Sequence, residues 1–87
     1  MTQLDEARHE VQDKTRSQIE EETAYKWAAC AVAAHENYEL TDNVSWLRDC
    51  QDYFHEAVEH AALADQSGAV LRAVRTWVHR YIPRGDV

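Results

Sequence analysis

The sequence predicts an all-α domain: an antiparallel helical hairpin plus a shorter third helix, preceded by a polar helical lead-in and assembling with its own copies into an oligomeric helical bundle. Three observations predict it. The 87 residues include only two glycines and one proline, so the turn chemistry that every β-hairpin requires is missing. Three successive segments repeat apolar residues at helical rather than alternating spacing. Each segment carries one tryptophan, Trp27, Trp46 and Trp77, and large aromatics on every element point to a shared core.

Residues 1–18 read as a polar arm. Leu4, Ala7 and Val11 form a thin stripe, but Lys14, Thr15 and Gln18 follow in the same register and the seam dies out. The bundle domain is expected over 19–82 and a short tail over 83–87. Its first helix is expected from Ser17 to Tyr38, about 22 residues and roughly 33 Å; continued back through the arm it would form a rod nearer 55 Å long. The run from Ala24 to Ala34 organises the rest. Ala24, Trp27, Ala28, Ala31, Ala34, His35 and Tyr38 share one face, with Tyr25 and Val32 on one flank and Cys30 on the other. Only Glu22, Lys26, Glu36 and Asn37 are left as a polar strip, so the apolar arc is wider than one neighbour covers.

Thr41, Asp42 and Asn43 compete as caps for a second helix from about Val44 to Asp65. Its core face is Leu47, Cys50, Phe54, Ala57, Val58 and Ala61, widened by Trp46, Tyr53 and Ala64. Gln66, Ser67 and Gly68 end it, with Ser67 expected to cap a third helix running to about Ile82, where Pro83 stops it. On that helix Val70, Leu71, Val74, Trp77, Val78, Tyr81 and Ile82 are expected to face inward. Arg72, Arg75 and His79 lie opposite.

Cys30 and Cys50 lack metal or redox spacing and each falls on an apolar arc, so both are expected to be buried, reduced and slow to react. The net charge of −7 is uneven. Residues 1–66 hold five Lys/Arg against fifteen Asp/Glu, and residues 67–87 hold four arginines against Asp86, giving −10 and +3. The acidic excess makes nucleic acid an unlikely partner for the domain as a whole, without excluding a local basic stripe. With no long apolar run and no signal-peptide pattern, no membrane partner is expected and the cytoplasm is the default location.

Three constellations bear on chemistry. His55-Glu-Ala-Val-Glu-His60 departs from the zinc-protease pattern H-E-x-x-H because its second histidine falls one residue late, about 140° from the first instead of on the same face. Glu22-Thr-Ala-Tyr25 on one helix, with Phe54, Glu59, His60 and Ala61 on the next, is similar to the layout of ferritin-like and rubrerythrin-like di-iron proteins. That resemblance implies a metal site on inward carboxylates and histidines, for which Glu20, His35, Glu56 and His60 are the candidates. The family's Glu-x-x-His pair would need a carboxylate at position 57, where Ala57 stands, so such a site would have to be pooled between subunits. Arg72-Ala-Val-Arg-Thr-Trp-Val-His79 resembles the short motif of HEPN-type helical ribonucleases, which implies Arg72 on a phosphate and His79 in proton transfer across a dimer.

No glycine-rich phosphate loop or nucleophile elbow is present. The sequence is therefore expected to encode a cytoplasmic interaction, adaptor or regulatory module rather than an enzyme. It needs no cofactor, and its partner is itself, as a homodimer, with another protein as a second kind of partner. Arg72, Arg75, His79, Trp46 and Tyr53 are the expected partner-binding residues. The alternatives are a ferritin-like metal-binding protein with an intersubunit site and a HEPN-like ribonuclease.

Overall fold

The computed structural model describes residues 14–87, and these form three helices: α1, Arg16–Thr41; α2, Val44–Ala64; and α3, Ala69–Val78. No strand occurs among the described residues. Most of the polar arm lies outside them.

The start of α1 is set by a capping box. The Thr15 side chain accepts from the Gln18 backbone N–H at 3.2 Å, and the Gln18 side chain accepts from the Thr15 N–H at 2.8 Å. Thr15 is extended, so α1 begins at Arg16 and does not run on from an uninterrupted rod. At the other end each of the three competing polar residues takes a different task. Thr41 Oγ donates to the Asn37 carbonyl, Asp42 closes the helix in the left-handed region at φ 55°, and Asn43 caps α2 by accepting from the Ser45 N–H at 3.0 Å. A connection of two residues then reverses the chain.

Among the described residues seven of the eleven buried apolar side chains are alanines: Ala24, Ala28, Ala31 and Ala34 on α1, and Ala57, Ala61 and Ala64 on α2. Small side chains at these spacings let α1 and α2 lie close along their length. Antiparallel pairing follows from the ends, where the Ser17 hydroxyl donates to the Ala64 carbonyl. Larger residues pack around the alanine seam instead of inside it. Trp27 and Tyr38 share the expected face yet are half-buried, and so are Leu47, Phe54 and Val58, while Ala64 from the expected flank is buried.

Gly68 takes φ 82°, and the α3 cap falls there rather than at Ser67. The Ser67 hydroxyl lies one residue earlier, donating to Asp65 Oδ2 at 2.7 Å and accepting from the Ala69 N–H at 3.3 Å. α3 is ten residues, about 15 Å, and ends at Val78, four residues short of the expected Ile82. The chain continues as a turn in which the Ile82 N–H donates to the Val78 carbonyl at 2.9 Å. That turn carries Ile82 into the core beside Val74 and Val78, whereas Tyr81 is 54% exposed and lies over Trp77 at 5.2 Å. The expected inward position of Tyr81 is thus corrected: once the helical twist stops at Val78, residue 81 no longer follows the apolar stripe.

α3 lies against the hairpin on the side marked by Tyr25, whose ring meets Trp77 edge-on at 6.1 Å. Trp27 is two residues from Tyr25 and so points about 200° away from it. It lies instead beside Tyr53 of α2, at 5.7 Å between centroids. The hairpin therefore has one face covered by α3 and one face that, among the described residues, no helix covers.

Candidate functional site

Two surfaces hold the expected partner-binding residues. The first is the open face of the hairpin. Trp27, Trp46 and Tyr53 are half-buried there, packed on the alanine seam from outside. Ile19, 50% exposed, and Leu63, 68% exposed, occupy the outer edges of the same face, since each is turned about 80° outward from the direction of Trp27 or Tyr53. Polar groups among them are paired, one pair across the helices and one within α2. His60 Nδ1 lies 2.6 Å from Glu20 Oε2, and His60 Nε2 lies 3.8 Å from Glu56 Oε2.

Three of the four metal candidates, Glu20, Glu56 and His60, are thus brought together, but as ion-pair partners in which carboxylates occupy the histidine nitrogens. Among the described residues no group of three or more His, Cys, Asp or Glu has an arrangement able to hold a metal ion. His55 pairs separately with Glu59 at 2.9 Å. The fourth candidate, His35, is elsewhere. Its nearly enclosed ring places Nδ1 3.0 Å from Glu39 Oε1 and Nε2 2.7 Å from Asp86 Oδ2. Both nitrogens meet acceptors, so both N–H groups of an imidazolium would be matched. With the Gln51 side-chain amide donating to the Asp86 carbonyl at 3.2 Å, this contact fastens the residues after Pro83 to the hairpin. No spacing could have disclosed a pair 51 positions apart.

The two cysteines differ. Cys50 is enclosed, and burial, aided by the nearby Asp86 carboxylate, pushes its thiol up to about 11. Cys30 is exposed, which corrects the expectation that it is buried. It sits about 60° beyond Trp27, on the edge of the open face, where α2 no longer covers α1. Between pH 9 and 11 an unfolded chain ionises Cys50 while the native chain does not, so native stability is expected to fall as pH rises through that window. Near neutral pH, alkylation of the folded chain is expected to spare Cys50. A Cys50 that reacts as fast as it does in denaturant would contradict the enclosed position.

The second surface lies on α3 and the turn after it. Arg72, Arg75, Thr76 and His79 recur at one face of the helix, and Arg84 returns to them after Pro83, with Phe54 and Val87 completing a groove of about 570 Å³. His79 Nδ1 donates to the Ile82 carbonyl at 3.1 Å, and its ring lies 6.0 Å from that of Phe54. Arg72 and His79 of the ribonuclease-like string therefore line one groove. Arg84 and Phe54 are not among the expected partner-binding residues, because one follows a proline and the other is read as core on a different helix.

No protein-family model matches the chain, and no match is found among the curated proteins or the solved structures compared with it. Among the described residues no helix is long and apolar enough to cross a membrane. The described residues define a three-helix arrangement with an aromatic hairpin face that α3 does not cover and a basic groove on α3.

Proposed function

We propose that this chain is an interaction module that works as a homo-oligomer, most simply a two-fold dimer in the cytoplasm, joined through the open face of the α1/α2 hairpin. The observation that carries this reading is the Trp27 and Tyr53 pair, packed on the core from outside with no helix over it among the described residues. Trp46, Ile19 and Leu63 extend that apolar surface along the hairpin. Aromatic residues are the usual anchors of protein interfaces, and an extended apolar patch on a small domain marks a contact site. A second copy brings the same patch, which a two-fold axis makes self-complementary. Glu20, Glu56 and His60 then act as the polar rim, orienting the association more than strengthening it.

The test is a charge on that face. Tyr53→Glu combined with Trp46→Glu should reduce the mass in sedimentation equilibrium to that of one chain, 10.1 kDa, while helical content by circular dichroism persists. In the same variant Cys30 should be alkylated at the rate of a denatured thiol, with Cys50 still protected. Unchanged association in a folded variant would place the contact elsewhere. The metal-binding alternative keeps only Glu20, Glu56 and His60; stoichiometric zinc or iron in the purified protein would favour it.

A further inference from the structure

The basic groove has features that association through the open face does not use. A chain of net charge −7, with 16 acidic residues, offers carboxylates for most of its cations. Among the described residues Lys14 is the one lysine or arginine that forms an ion pair, its Nζ lying 2.9 Å from Glu22 Oε1. Arg72, Arg75 and Arg84 are set apart by converging on one groove. Among the described residues none of the three forms an ion pair.

The two nearby carboxylates are already committed. Asp65 accepts from the Ser67 N–H at 3.0 Å and from its hydroxyl at 2.7 Å, bonds that hold its carboxyl below the usual range, with the Arg72 charge as a smaller cause. Asp86 is held by His35. The Arg72 guanidinium reaches only the Ser67 carbonyl, at 3.4 Å. Three guanidiniums and a histidine thus line one groove, and among the described residues none of the three guanidiniums is joined to a carboxylate.

Guanidinium forks match phosphate oxygens in shape as well as in charge, and His79, with Nδ1 bound to the Ile82 carbonyl, keeps Nε2 uncommitted. The groove is not wholly polar. Phe54 and Val87 form its apolar side, with the Phe54 and His79 rings 6.0 Å apart. Its volume of about 570 Å³ lies within the range of small-ligand sites. We propose that this groove binds a nucleoside phosphate, with Arg72, Arg75 and Arg84 on the phosphate oxygens and the planar base against Phe54 and His79.

Calorimetric titration of the full chain with ATP, tripolyphosphate and adenosine separates the contributions. ATP should bind saturably and more tightly than tripolyphosphate, and adenosine more weakly than either. Arg72→Gln combined with Arg75→Gln should weaken ATP at least tenfold. Arg80→Gln, a charge outside the groove, should change it less than twofold. Phe54→Leu should abolish the advantage of ATP over tripolyphosphate, and melting curves for each variant establish that it is folded. Failure of ATP to saturate at millimolar concentration would overturn the proposal. Tripolyphosphate binding as tightly as ATP, or an equal loss in the Arg80 variant, would overturn it too. So would a loss of association in the Arg72/Arg75 variant without a loss of ATP, because the groove would then belong to a subunit contact.

Discussion

Ile82→Ala is expected to lower the stability of the chain by about 2–5 kcal/mol, the range for emptying a fully enclosed aliphatic site. Ile82 is 1% exposed and is the largest of the fully buried side chains. Its position matters as much as its size. α3 stops after ten residues, and the turn from Val78 to Ile82 prolongs the apolar cover beyond the helix. The same turn leads into Pro83 and on to Asp86, which is fastened to His35. A cavity there weakens the core and loosens the turn together. For a domain of this size about 2 kcal/mol corresponds to a fall of roughly 8–16 °C in melting temperature. A variant melting within about 3 °C of the parent would show that Ile82 is dispensable.

Ala28→Leu should cost about 3 kcal/mol, at the upper end for overpacking. Ala28 is 0% exposed at the middle of the seam where α1 approaches its neighbours. Three added heavy atoms have no space unless the helices separate, and separation also strips contacts from Ala24, Ala31, Ala57 and Ala61. The paired control is Ala29→Leu, one position away and exposed, for which thermal unfolding should shift by only a few degrees. Equal effects at the two positions would mean that the alanine seam is not tightly packed.

That seam was the most legible feature of the sequence. Alanine at 24, 28, 31 and 34 states a close helix contact directly, because nothing else explains small residues at that spacing. The α2 start was legible for a similar reason: Asn43 precedes an apolar register that begins at once. Other positions were not. The Thr15 to Gln18 capping box lies in the sequence, but the fading stripe of the polar arm puts the expected start at Ser17, one residue late. Periodicity gave the angles of Trp27, Cys30 and Tyr25 on α1 but could not say which flank α3 would cover. It covers Tyr25, so Cys30 is exposed and Trp27 only half-enclosed. The end of α3 was overestimated because Pro83 forbids helix beyond it without requiring helix up to it.

The candidate surfaces were readable in part. Arg72, Arg75 and His79 share a helical face in any three-helix arrangement, and the structure adds Arg84 and Val87, which the chain after α3 brings within reach, and Phe54 from α2. Trp46 and Tyr53 were recognised as surplus apolar area on α2. Trp27, which lies beside Tyr53, reads from the sequence as an inside residue.

A second copy is expected to cover the open hairpin face. Light scattering on the parent chain at micromolar concentration measures this directly. At least twice the single-chain mass of 10.1 kDa is expected, and a stable, folded species at the mass of one chain would contradict it.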